Sequence, residues 1–206
     1  MMNHMTLEMF LAHSRMVVSA VGLTILIGVP LGVLAYLYAG IRQVILLVVE
    51  VLQIIPTLAL LGAILIVVGP GRTTVIIGLL LYSLLPIVQN TYIGLREVDK
   101  SIIEVAEGMG MTKMHSLLRV EIPLAFPLIF TGIRIATITA IGIAVFATFV
   151  GGGGIGSIIH RGVRVSNMDM VMSGTLTLMA MAVVCDGLMS LIEKRLHRRS
   201  SRRPQT

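Results

Sequence analysis

The 206 residues are 56% hydrophobic and only 13% charged, with a formal net charge of +6 and a mean hydropathy of +0.96. Soluble domains carry about 25% charged residues, so this chain has too little polar material to cover a globule, and a soluble protein is excluded. Its apolar runs reach the ~20 residues needed to cross ~30 Å of hydrocarbon and do not alternate as the strands of a membrane β-barrel do, which leaves an all-α integral membrane protein.

In chain order, residues 1–15 read as a segment ahead of the membrane, residues 16–192 as the membrane domain, and residues 193–206 as a basic tail. Five spans are expected: Met16–Ala39, Val44–Val68 broken by Pro56, Thr73–Ile93 with Pro86 inside, Ala125–Val150 with Pro127 in its first turn, and Met170–Ile192. A sixth crossing requires Gly151–His160 to re-enter the membrane. The first run is longer than a signal-peptide core and no small-residue cleavage site follows it, so it is expected to stay on the protein. Gly28 and Gly32 form a GxxxG pair of the kind that lets membrane helices approach closely. With Cys185 as the one cysteine, no internal disulfide can form.

Lys and Arg are unevenly divided between the two sides. Arg42, the segment 96–119 and the tail give eleven on one side, against Arg15, Arg72, Arg161 and Arg164 on the other. The positive-inside rule places the richer side in the cytoplasm. The N-terminus is then outside, and the C-terminus and an insert at 96–124 are cytoplasmic. The tail serves as an orientation anchor or as a sensor of the anionic leaflet.

Within the insert, Ser101 with Glu104 three residues on matches a capping box, and Ile102, Ile103, Val105, Ala106 and Met109 supply apolar contacts. Gly110 fits a helix stop and Thr112 a second N-cap. Met114, Leu117 and Leu118 fall at helical spacing, and Pro123 is expected to end that helix. The insert thus reads as helix, glycine corner, helix, proline exit. "GMGMTK" is not a phosphate loop, because Thr112 rather than Gly precedes Lys113 and Met114 follows it. The sequence shows no nucleotide motif, metal-ligand cluster or nucleophile–base set, and nothing in it suggests nucleic acid.

The spacing Glu104, Ala106, Gly110, Val120, Ile122, Pro123 resembles the cytoplasmic signature loop of binding-protein-dependent ABC importer permeases, with Val105 where a small Ala is usual. "VLQIIPTLALLG", "LYSLLPIVQNTYIGL" and "FVGGGGIGSII" extend the resemblance to the subgroup importing glycine betaine, carnitine and choline. It implies a type I importer permease fold in the bacterial cytoplasmic membrane, paired with a second permease, identical or homologous. It also implies separate ABC ATPase subunits that hold ATP and Mg, an extracytoplasmic substrate-binding protein, and no cofactor in this chain. It further implies that Glu104, Ala106, Gly110, Met114, Leu117, Leu118 and Pro123 form the ATPase-coupling surface. A permease for another solute such as an amino acid, and a self-contained secondary transporter or channel, remain as alternatives.

Three charges lie inside the expected spans: Glu50, Arg134 and Asp186. Each is costly in hydrocarbon, and at about 1.5 Å per residue all three fall in the cytoplasmic half. An Arg134–Asp186 pair is expected, with Glu50 nearby or facing water. Gln53, Pro56, Thr57, Gln89 and Asn90, beside the proline breaks, line the translocation path or make helix-packing hydrogen bonds. Gly151, Gly152, Gly153 and Gly154, too free in backbone for a stable helix, form an extracytoplasmic gate or a plain turn. With no Trp and 4% aromatic residues, the chain cannot readily build an aromatic cage for a quaternary ammonium ion, so high-affinity selection is expected in the binding protein.

Overall fold

The computed structural model describes residues 2–200, with side chains from 7 to 196. Among these residues it is entirely helical: α1 (Met2–Leu37), α2 (Ala39–Ile54), α3 (Thr57–Val68), α4 (Arg72–Arg96), α5 (Lys100–Gly108), α6 (Lys113–Ser116), α7 (Ile122–Ile143), α8 (Gly156–Arg164) and α9 (Met168–Ser200). A π-helical turn, Leu117–Glu121, joins α6 to α7, and a 3-10 segment, Ala144–Val150, extends α7.

Four helical runs are long and apolar enough to span a membrane: Leu7–Leu37, Arg72–Arg96, Lys113–Val150 and Met168–Leu196. The expected second span is not one straight helix. It is α2 and α3, bent by 100° at Pro56. Proline has no N–H to donate, and at this break the Tyr82 hydroxyl of α4 donates to the carbonyl of Ile55. By contrast α4 runs on through Pro86 without a break. The α8 segment after the glycine run has nine residues, about 14 Å at 1.5 Å each, too short for a sixth crossing.

The first helix begins at Met2 rather than Met16. Residues 7–15 are therefore part of the bundle: His13 is fully buried, and its Nε2 lies 3.1 Å from the carbonyl oxygen of Ile141. At the other terminus, α9 continues through Ser200, so the expected tail starts as helix, while Arg202 and Arg203 lie outside the described residues.

Helices α1, α4 and α7 form the centre, with α2 and α3 packed on α4, and α9 packed on α7 and α8. One core cluster joins Met16, Ala20, Leu79, Ala140 and Ala147; a second, at the insert end, joins Leu95, Val98, Leu117, Ala125 and Ile129. Lipid tails are as apolar as leucine, so burial alone drives little helix association and close packing must supply it. Small residues provide that closeness. A Cβ on Gly32 would come 2.8 Å from the Val88 carbonyl oxygen, and one on Gly132 would come 2.5 Å from that of Pro86. Gly132→Ala is therefore expected to destabilise the detergent-solubilised protein by about 1–3 kcal/mol, the usual range for overpacking. Gly142→Ala, where nothing lies within 4 Å, is expected to leave the thermal midpoint unchanged or raised. Equal midpoints for the two variants would refute the glycine contact.

Candidate functional site: the helical insert, the charge triad and the glycine turn

Helix α5 is capped by Asp99, whose carboxyl accepts from the Ser101 N–H at 2.9 Å. Ser101 sits inside the first turn rather than at the cap, so the expected capping box is displaced by two residues. The same backbone hydrogen bond holds the Asp99 carboxyl below its usual range, so the cap is kept at neutral pH and lost as acid protonates it. Two bonds close the far end: Gly110 N–H to Glu107 O at 2.9 Å, and Met111 N–H to Ala106 O at 3.1 Å. These are the paired bonds of a Schellman stop, which needs a left-handed residue, and Gly110 provides it at φ +87. Thr112 then caps α6, accepting from the His115 N–H at 3.4 Å.

The helix does not end at Pro123. It passes from α6 through the π-turn into α7, with Ile122 N–H bonded to Leu117 O. Pro123 sits in the first turn of α7, where its missing N–H is tolerated. The expected proline exit is thus replaced by a continuous helical run, Lys113–Val150.

This continuity divides the expected coupling surface. Ala106 and Leu117 are 2% and 3% exposed and belong to the protein's own core. Met114 and Leu118 face outward, as do Ile102, Val105 and Met109, which is 69% exposed. Glu104, Gly110 and Pro123 are also on the surface. A shallow cavity of about 200 Å³ lined by Met109, Gly110, Met111, Thr112 and His115 opens at the corner. Beneath it lies a buried polar junction: Glu121, 5% exposed, accepts from the Tyr36 hydroxyl of α1 at 2.7 Å and from the Ser116 hydroxyl at 3.2 Å.

Between α7 and α9, Arg134 donates from Nε and Nη2 to the two oxygens of Asp186 at 2.7 and 2.9 Å, and from Nη1 to Glu193 at 2.6 Å. The Thr131 hydroxyl donates to the second oxygen of Glu193. The fork geometry suits a planar guanidinium between two carboxylates. Glu50 is not part of this group. It is exposed on α2, which packs on α1 and α4, whereas the triad lies between α7 and α9. Of the two expected places for Glu50, near the pair or facing outward, its exposure on α2 fits the second. The third member, Glu193, was missed although it follows Asp186 by two helical turns on the same face.

The expected path residues differ in exposure. Gln53, Pro56 and Gln89 are exposed and Thr57 is half-buried. Asn90 sits at the α4–α7 contact beside Gly132, its side-chain amide donating to Pro86 O at 2.8 Å. The glycine run is packed closely at two of its four positions, Gly152 and Gly154, and open at Gly153. Gly151, Gly153 and Gly154 have positive φ, while a Cβ on Gly152 would meet Val75 at 2.5 Å and one on Gly154 would meet His13 Nδ1 at 3.2 Å. The run is a turn clamped against α1 and α4, and no periodicity signalled the role of His13.

A chain in an inward facing structure of the MetNI methionine ABC transporter superimposes with a TM-score of 0.86 at 22% identity, covering 95% of this chain and 97% of that one. The fold is thus that of a type I ABC importer permease. A glycine betaine/carnitine/choline transport system permease protein of Bacillus subtilis (strain 168) is 41% identical over 191 residues, 92% of this chain and 83% of that protein. A carnitine transport permease protein of Listeria monocytogenes serotype 1/2a (strain 10403S) is 38% identical over 202 residues, 97% of this chain and 91% of that protein. The family described as binding-protein-dependent transport system inner membrane component matches residues 25–198. This integral membrane protein belongs to that family.

Proposed function

We propose that this chain imports a quaternary-ammonium osmoprotectant of the glycine betaine, carnitine and choline class, by alternating access driven by a separate ATPase. ATP and Mg are held by that partner, and the working unit contains a second permease and an extracytoplasmic binding protein. The N-terminus lies outside and the insert inside, in line with the excess of basic residues around the insert. The observation that carries the coupling role is the uncovered apolar face of Ile102, Val105, Met109, Met114 and Leu118. It surrounds a corner fixed by caps on both sides. Such a face needs a protein groove to cover it, as amphipathic helices do in groove recognition. The substrate class is supported by the likeness to the glycine betaine/carnitine/choline and carnitine permeases described above.

The test is uptake by proteoliposomes containing this chain with its ATPase and binding protein. ATP-dependent accumulation of radiolabelled glycine betaine or carnitine is expected, with no uptake of radiolabelled methionine. Methionine uptake alone would reject the substrate class. Uptake by this chain without an ATPase would reject the coupling role.

A further inference from the structure

We propose that Glu121 is a positioning residue that ties the insert to α1, so that displacement of the insert reaches α1 as well as α7. The inference rests on the coupling role proposed above. Helix α7 receives any movement of α6 directly, because the helix is continuous from Lys113 onward. Helix α1 is not continuous with the insert, since α2 to α5 intervene in the chain, and it meets this end through apolar packing of Val29, Val33 and Tyr36 and one directional bond. Among the described residues, the Tyr36–Glu121 hydrogen bond is the only one between α1 and residues 97–121.

The chemistry of the position is unusual for its surroundings. Leu95, Val98, Leu117, Ala125 and Ile129 form the cluster at this end of the bundle, and a residue that only filled space there would be apolar. A buried carboxyl group is costly unless donors satisfy it. Glu121 has two donors, one on each side of the joint: Tyr36 at 2.7 Å from α1 and Ser116 at 3.2 Å from α6. It is also the last residue of the π-turn, a feature often found at functional sites. Two positions later Pro123 has no N–H to bond back into that turn, so the turn can tighten or widen without losing a hydrogen bond there. Glu121 holds the compliant turn to both neighbours. It also stands at the position that the signature spacing leaves free, between Val120 and Ile122.

The experiment measures glycine betaine accumulated per ATP hydrolysed in proteoliposomes of the assembled transporter. Tyr36→Phe removes one hydroxyl and is expected to lower this ratio about tenfold, which is ~1.4 kcal/mol. Glu121→Leu is expected to lower it as far. The double variant is expected to be no worse than Glu121→Leu, because both act through one link. Glu121→Gln, which keeps an acceptor for Tyr36, is expected to recover most of the ratio. A purely structural role would change the yield of assembled complex and leave the ratio alone. A wild-type ratio in Tyr36→Phe overturns the proposal even if Glu121→Leu does not assemble, and so does a double variant showing the product of the two losses. Failure of the coupling role itself is distinguishable, because the ratio would then be insensitive to Gly110→Asp in the otherwise unaltered chain.

Discussion

Arg134→Leu is expected to remove most of the folded protein from the membrane. The guanidinium is bonded to Asp186 through two nitrogens and to Glu193 through the third. Deleting it leaves two carboxylates facing each other between α7 and α9. An uncompensated charge at the centre of a membrane helix costs about 2.5–3.5 kcal/mol on insertion scales. The cost falls off toward the interface and the three side chains are only partly buried, but mutual repulsion between the carboxylates adds to it, so a clearly lower thermal midpoint is expected. The variant Arg134→Leu/Asp186→Leu/Glu193→Leu removes all three charges and is expected to recover most of the loss. Both are read from the yield and thermal midpoint of the purified protein. Wild-type stability of Arg134→Leu would show that the triad contributes nothing, and failure of the triple variant to improve on it would show that the loss was one of packing.

Gly110→Asp has a different expected signature: normal assembly with transport lost. No atom lies within 4 Å of a Cβ added there, so the substitution meets nothing within the chain. The left-handed backbone costs a non-glycine residue roughly 1–2 kcal/mol, a cost the capped corner can absorb. The new carboxylate projects beside Met109 and Met114, where the partner is expected to press closest. Uptake is expected to fall at least about tenfold, the equivalent of ~1.4 kcal/mol at the interface, with ATP hydrolysis retained. Gly110→Ala bears the backbone cost without the charge and is expected to lie between the two. Normal solute-stimulated turnover in Gly110→Asp would sink the coupling role.

The parts of this molecule that were legible in its sequence are those set by local chemistry. Gly110 and Thr112 act through bonds to residues within a few positions, so residue type and spacing were enough. The five apolar runs were legible because hydrocarbon thickness imposes their length. What the sequence did not convey is azimuth. Met114, Leu117 and Leu118 form one stripe by spacing, yet packing turns only Leu117 inward. Glu50 falls in the same half of the membrane as Arg134 but on α2, which packs on α1 and α4 rather than on α7 or α9. Pro123 does not end the helix because the residue before proline is only disfavoured in the α region, and Ile122 keeps helical angles there, just after the π-turn. The glycine run was read as loose because composition reports what a backbone can do. Packing against Val75 and His13 holds Gly152 and Gly154 in place, which composition does not report.

The helical run from Lys113 to Val150 packs along α4, with Ala125 beside Gly94 and, further on, Gly132 beside Pro86. By helical rise, about 1.5 Å per residue, roughly 28 Å of helix lies on the insert side of that contact and about 27 Å on the glycine-turn side. The Gly132 contact therefore stands near the middle of the run. The insert and the glycine turn are thus the two ends of one continuous run, held near its middle by α4.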